Sequence, residues 1–149
     1  MRLIAAVTTV LSIGLLGQEK AQELKPEQVV IEANKAEFEW YKDLESTEAA
    51  QKVKKYFTGS RYDNIVGRVS RAIKRGDKAK SAYNNIKILG SAEVKGDTAI
   101  VRTTESGELA WTPSGIRWPE GGPTKDLAHT YFLVRINGQW KVSRDEFEQ

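Results

Sequence analysis

The stretch Tyr131-Phe-Leu-Val-Arg-Ile-Asn-Gly-Gln-Trp-Lys-Val142 decides the fold, because it specifies a β-hairpin together with its register. Asn137-Gly138 is a preferred dipeptide of the two-residue type I′ turn, which needs positive φ at both central positions. The apolar runs on either side predict strands over residues 127–136 and 139–144.

The length of this turn sets which side chains share a face of the hairpin. The expected opposed pairs are Arg135 with Trp140 and Leu133 with Val142, with His129 and Tyr131 on the same side. The other face carries Phe132, Val134 and Ile136. Since both faces are partly apolar, one should meet helices and the other a cavity, a loop or another subunit.

Upstream of the hairpin, period-two patterns predict strands at Ile86–Val94, Thr98–Thr104 and Glu108–Thr112. A Lys95-Gly96-Asp97 turn joins the first two. A loop rich in glycine and proline follows, from Pro113 to Thr124.

Three helices are predicted before the strands. Pro26 suits the first position of a helix that runs to Leu44. Ser46 caps a second helix, which Gly59 ends. A third helix runs from Arg61 to Arg75, with an apolar arc formed by Tyr62, Ile65, Val66, Val69 and Ile73.

The opposite side of the third helix is basic, with Arg68, Arg71, Lys74 and Arg75. Residues 52–87 contain eleven Lys or Arg and two Asp, although the whole chain has a net charge of only +3. Such a face is either a solvated surface or a contact for anionic lipid headgroups. Nucleic acid is disfavoured as a partner, because no aromatic side chain for base stacking lies on the basic side.

The order of three helices and a curved antiparallel sheet, closing in the stretch 131–142, resembles the nuclear-transport-factor-two-like (cystatin-like) cone superfamily. The phrase Val94-Lys-Gly-Asp-Thr-Ala-Ile-Val101 is also common there. Within it the chain looks most like the intermembrane-space-like domains of plastid and cyanobacterial division proteins, and next like assembly proteins of type IV secretion complexes. The resemblance covers Pro26 to the C-terminus and implies a cone-shaped α+β domain over residues 26–149. It implies no catalytic residues, since the superfamily includes enzymes and binding proteins and no enzyme motif is matched.

The amino-acid composition limits the number of domains and excludes several kinds of site. The chain has 149 residues, 40% of them hydrophobic, which suits one domain with one core. The absence of cysteine excludes disulfides, zinc fingers and thiol catalysis. No cofactor or metal is predicted, because phosphate-binding and dinucleotide motifs are absent and a single histidine supplies too few ligands.

The N-terminus predicts an exported or membrane-anchored protein. Met1 and Arg2 precede an uncharged apolar run, Leu3–Gly17, as in a secretory signal peptide. Fifteen helical residues span about 22 Å, which is short of the ~30 Å hydrocarbon core, although an uncleaved anchor stays an alternative. Residues 18–25 are polar and are interpreted as a spacer.

His129 is the one candidate general base, with Asp126 or Asp145 as a partner; the alternative is a buried, hydrogen-bonded histidine. The loop around Trp111, Arg117 and Trp118 is either a lid over the sheet or a recognition loop, or both at once. The predicted ligand- or partner-binding residues are Trp111, Arg117, Trp118, His129, Tyr131, Arg135 and Trp140.

Two functions follow from these patterns. The preferred one is a non-enzymatic binding or scaffolding domain for a protein or small ligand, with a homodimer through the sheet face as one arrangement. The alternative is a small isomerase or hydrolase that uses His129 with a carboxylate. A deep pocket with His129 within hydrogen-bond distance of an Asp or Glu would favour the enzyme, and a shallow apolar patch would favour the binding domain.

Overall fold

The computed structural model describes residues 23–148, which form three helices followed by five strands. The helices are α1 (Pro26–Lys42), α2 (Thr47–Tyr56) and α3 (Gly59–Arg75). The strands are β1 (Lys78–Lys95), β2 (Thr98–Thr112), β3 (Arg117–Trp118), β4 (Leu127–Ile136) and β5 (Gln139–Phe147). The predicted α+β class is confirmed. The leader predicted at residues 1–17 and most of the spacer lie outside the described residues.

The helix ends follow local chemistry. Pro26 occupies the first turn of α1, and the Ser46 side chain accepts a hydrogen bond from Ala49 N (3.1 Å) at the start of α2. The prediction that Gly59 ends α2 is wrong, because α2 ends at Tyr56 and Gly59 begins α3. The chain leaves α2 early because Thr58 N donates to Val142 O (2.9 Å), which ties this corner to β5.

The antiparallel sheet has the order β1-β2-β4-β5, and the short strand β3 pairs with the end of β2. Two predicted strand limits need correction. β1 begins at Lys78, eight residues before Ile86, and β2 continues through Glu105-Ser106-Gly107 without a break. Both extensions have one cause: β1 and β2 pair from Lys78↔Thr112 to Lys95↔Thr98, so each strand supplies the other's hydrogen bonds.

The last hairpin has the predicted turn and register. Asn137 and Gly138 have φ values of 51° and 74°, and Arg135 lies opposite Trp140. A register shift between Phe132 and Leu133 then inserts one extra residue into β5. Because opposed residues share a face, the shift brings Asp145, and not Arg144, opposite Tyr131 on the inner side of the sheet.

The core lies between the helices and the inner face of the sheet. In α3 the buried positions are Ile65, Val69 and Ala72, whereas Ile73 is 50% exposed. The apolar arc is therefore rotated from the predicted one, because Ala72 takes the place expected for Ile73. This rotation brings one flank of α3, with its arginines, to the edge of the core.

Candidate functional site

A cavity of about 290 Å³ lies between α1, α3 and the inner face of the sheet. This volume is at the lower end of those of small-molecule sites. Its charged wall residues are Glu37, Arg61, Arg68, Arg71, Glu105, His129 and Asp145. Its uncharged wall includes Asn34, Phe38, Asn64, Asn84, Leu109, Trp118, Leu127, Tyr131 and Phe147. Burying a charged side chain is unfavourable unless an opposite charge or hydrogen bonds compensate it. The partners of these ionisable side chains therefore define the site.

His129 is held at both ring nitrogens. Its Nδ1 lies 2.7 Å from Oε2 of Glu105, and its Nε2 lies 2.8 Å from Oδ2 of Asp145. Its ring stacks on that of Tyr131, with 4.6 Å between centroids and 15° between planes. Asp145 is thus the partner among the two predicted carboxylates, while Asp126 lies in the turn before β4. The predicted pairing of His129 with Tyr131 on one face is confirmed.

Burial alone would lower the pKa of His129, but the hydrogen bonds to Asp145 and Glu105, together with their charges, raise it to about 9. The side chain is therefore an imidazolium at neutral pH, and both N–H groups donate to carboxylates. A general base needs an unprotonated nitrogen that faces the substrate. In this arrangement neither nitrogen of His129 meets that condition.

Glu105 accepts hydrogen bonds from several sides. Besides the hydrogen bond from His129, Glu105 accepts one from the Tyr131 hydroxyl (2.7 Å), one from the Thr103 hydroxyl (2.8 Å) and one from the Asn84 amide. Burial by itself would raise the pKa of Glu105, but these donors and the imidazolium hold it below its usual value. Burial, followed by the charge of the same carboxylate, raises the pKa of Tyr131 well above its usual value.

A second buried ion pair extends this cluster towards the helices. Nη2 of Arg61 lies 2.8 and 2.7 Å from the two oxygens of Glu37, and its Nε lies 3.4 Å from Asp145 Oδ2. The Tyr41 hydroxyl also donates to Glu37 (2.7 Å) and accepts from Arg68 Nη1 (3.0 Å). Carboxylates and cations thus alternate from α1 across to β2.

The arginine side chains that line the cavity lie on one side of α3. Arg61, Asn64, Arg68 and Arg71 are spaced i, i+3, i+7 and i+10, which places them on one side of a helix. Of the predicted basic face of Arg68, Arg71, Lys74 and Arg75, Arg68 and Arg71 line the cavity, and Arg71 is also solvent-exposed. Arg75 pairs with Asp77 at 2.7 Å, and Lys74 is exposed.

Aromatic side chains cover the cavity mouth. Trp118 packs edge-on against Phe147 (6.0 Å between centroids), which packs against His129 (5.7 Å). The Arg68 guanidinium lies over the Trp118 ring at 5.8 Å. Trp118 is 37% exposed, so it has one side in the cavity and one in solvent. Trp118 therefore lines part of the opening, and the role of its loop as a lid or a recognition loop stays a prediction.

The other predicted binding residues lie elsewhere. Trp111 and Trp140 are 3% and 4% exposed and belong to the core, so neither offers a surface to a partner. Trp111 is in β2 and not in the loop, and it packs against Tyr41. Arg117 forms an ion pair with Glu108, and Arg135 lies over the Trp140 ring and pairs with Glu23. The structure thus keeps His129, Tyr131 and Trp118 in one site and separates the rest.

Three residues central to the site were not predicted: Glu37, Arg61 and Glu105. Glu37 lies on the apolar stripe of α1 at helical spacing with Ala33 and Tyr41, and a carboxylate at such a position must be paired. Glu105 continues the period-two series of Val101 and Thr103 in β2. A charged residue at a core-facing position was the available signal in both cases.

Among residues 23–148, no group of three or more potential ligand side chains is placed to hold a metal ion. Over the same residues, no helix is long and apolar enough to cross a membrane.

No protein-family model and no curated protein matches this sequence. Solved structures do match it in fold. The intermembrane space region of the chloroplast protein ARC6 is 14% identical, with a TM-score of 0.56 over 81% of this chain and 92% of that one. Aln2 from a Streptomyces species is 13% identical, with a TM-score of 0.50 over 86% of this chain and 94% of that one. An NTF-2-like protein of unknown function from Shewanella oneidensis is 12% identical, with a TM-score of 0.49 over 83% and 99%.

The chain shares its α+β fold with the ARC6 intermembrane space region and with Aln2, in agreement with the predicted fold. At these identities the likeness is one of fold, and such a fold is shared by enzymes and binding domains. The function therefore has to be argued from the cavity itself.

Proposed function

We propose that this domain binds a small ligand in the cavity between α3 and the sheet and holds it without chemical change. The observation that carries the proposal is the pairing of His129 at both nitrogens, with Glu105 at 2.7 Å and Asp145 at 2.8 Å. The single histidine of the chain thus donates both of its N–H groups to carboxylates of the protein itself.

The carboxylates Glu105 and Asp145 likewise have hydrogen-bond and ion-pair partners within the protein. Glu105 accepts from four side chains, and Asp145 is shared between His129 and Arg61. Such a network stabilises the shape of a polar cavity, because each buried charge is matched by an opposite one. A ligand that enters meets a fixed surface and no side chain with a free basic atom in this cluster.

The second candidate is a small isomerase or hydrolase. Its support is that His129 and Asp145 lie within hydrogen-bond distance in a cavity, which is the condition stated above for an enzyme. Turnover would require the His129–Asp145 pair to open, so that one of the two could exchange a proton with the substrate.

One experiment separates these two functions. The protein is incubated with a nitrophenyl acetate ester and with a β,γ-unsaturated cyclic ketone, which report hydrolase and isomerase chemistry. The expected result is the same product formation with wild type, His129→Gln and Lys74→Gln, where Lys74 lies on α3 outside the cavity. Catalysis above background that is lost in His129→Gln and kept in Lys74→Gln would establish the enzyme.

The export and partner predictions are carried forward as part of this proposal. The uncharged run Leu3–Gly17 supports an exported or tethered domain, and the ARC6 region has by its name an intermembrane-space location. The mass of the mature N-terminus and membrane fractionation test this, and a cytoplasmic protein that begins at Met1 would contradict it. A homodimer through the outer sheet face, which carries Phe132 and Val134, and a contact with anionic membrane stay predictions.

A further inference from the structure

The charges of the cavity wall do not cancel. Glu37, Glu105 and Asp145 supply three negative charges, whereas Arg61, Arg68, Arg71 and the His129 imidazolium supply four positive ones. The wall therefore carries a net charge of +1. A cleft lined by an excess of one sign of charge attracts a counter-ion.

The excess is located on α3. Arg61 is bound to Glu37. Arg68 donates to the Tyr41 hydroxyl and lies 3.8 Å from Glu37 Oε1. Arg71 lies at the solvent-exposed edge of the cavity and has no hydrogen-bond or ion-pair partner among residues 23–148. The Arg71 guanidinium lies along its own helix, so that a Cβ at Gly67 would be 3.1 Å from its Nη1. The glycine leaves room for this side chain beside Arg68 at the cavity.

Part of the lining is apolar. Trp118, Phe147 and Leu127 lie together on the sheet side, and the Arg68 guanidinium lies over the Trp118 ring at 5.8 Å. A ligand that fits both walls has a charged group at one end and an apolar body at the other. Planar oxyanions suit guanidinium groups, which donate two parallel hydrogen bonds to a carboxylate.

We infer that the ligand is a small organic monoanion, a carboxylate whose charged group binds Arg68 and Arg71 and whose apolar body lies under Trp118 and Phe147. This inference rests on the proposed binding function and names the ligand class of the same cavity. A dianion would carry more negative charge than the net charge of +1 on the cavity wall compensates. A cation would be repelled by that net charge.

The test compares three benzene derivatives that differ in charge in titration calorimetry: the anion benzoate, the neutral benzamide and the cation benzylamine. Benzoate is expected to bind about tenfold more tightly than benzamide, since hydrogen bonds to a charged group are stronger than those to a neutral one. Benzylamine is expected not to bind. Inorganic phosphate serves as a fourth probe, and it should bind more weakly than benzoate because it has no apolar body.

Two variants locate the binding. Arg71→Gln is expected to weaken benzoate about tenfold and to leave benzamide unchanged, because it removes the unpaired cation. Lys74→Gln removes the same charge from the same helix outside the cavity and is expected to change neither probe. Equal losses in the two variants would mean attraction by the overall basic charge and would overturn the inference.

Benzamide or benzylamine binding as tightly as benzoate would also overturn the anion class while leaving the binding function intact. Absence of binding by all four probes overturns the inference as well. Failure of the proposed function has a separate signature, which is product formation that depends on His129.

Discussion

Nδ1 of His129 on β4 lies 2.7 Å from Oε2 of Glu105 on the neighbouring strand β2. The two residues are diagonal neighbours in the sheet, since His129 lies opposite Thr103 and Glu105 opposite Leu127. Together with the contact of Asp145 at Nε2, this contact holds the pKa of His129 above its usual value and so keeps the imidazole protonated at neutral pH.

The first prediction concerns stability as a function of pH. The folded-state pKa of His129 is about 9, above the unfolded value of about 6.5. Its contribution is therefore fully present below pH 6.5 and is lost as the pH rises towards 9. The loss should reach about 3 kcal/mol in the free energy of unfolding, measured by urea denaturation at several pH values.

His129→Gln is the control for this prediction. The chain has no other histidine and no cysteine, so no other side chain has an ordinary pKa in this interval. The variant should show a nearly constant free energy of unfolding between pH 6.5 and 9. A wild-type curve that is equally flat would contradict the assigned protonation state.

The second prediction concerns Glu105. Glu105→Gln leaves the His129 imidazolium and the Tyr131 hydroxyl without their shared anion, so the free energy of unfolding should fall by about 3 kcal/mol. The matched control is Glu93→Gln on β1, whose ion pair with Arg102 is largely solvent-exposed. It should cost no more than about 0.5 kcal/mol. Similar losses in both variants would mean that the buried contact adds little.

The third prediction concerns Gly107 in β2. A Cβ there would lie 2.6 Å from the carbonyl oxygen of Tyr83 and 2.9 Å from the Cα of Asn84, both of which are backbone atoms. Gly107→Ala should therefore destabilise the fold by about 2 kcal/mol through forced backbone movement. It should also move Asn84 away from Glu105.

Gly121→Ala is the control, because a Cβ at Gly121 meets nothing within 4 Å. It should leave the melting temperature unchanged. A tolerated Gly107→Ala would show that β1 and β2 approach less closely at this position.

The fourth prediction separates two tryptophans that sequence patterns placed in one loop. Trp111→Ala removes a core side chain and should cost about 3–5 kcal/mol in the free energy of unfolding. Trp118→Ala should cost about 1 kcal/mol or less, since that ring is partly in solvent, but it should weaken benzoate binding several-fold. An unfolded Trp118→Ala protein, or one with unchanged benzoate binding, would contradict this placement.

The parts of the fold that follow from local chemistry were predictable. Asn137-Gly138 sets the last turn, Ser46 caps α2, and the apolar repeats mark the helices. The true ends of β1 and β2 were not, because they depend on mutual pairing over a distance in sequence. The extra residue in β5, which brings Asp145 beside His129, leaves no mark in the alternation of the strand.

The site was predictable only in part. His129 and Tyr131 follow from strand parity, and Trp118 from the composition of its loop. The charges that surround His129 come from four other elements, with Glu37 on α1, Arg61 on α3, Glu105 on β2 and Asp145 on β5. A charged residue at a core-facing position signals that a partner exists, but the partner is set by tertiary packing.

The most direct measurement is a nitrogen-15 NMR titration of the His129 side chain in protein without a histidine tag, where the single histidine makes assignment unambiguous. We expect both ring nitrogens to be protonated at pH 7, with a midpoint near pH 9. A midpoint near pH 6.5, or a neutral ring with one bare nitrogen at pH 7, would contradict the binding function and favour proton-transfer chemistry.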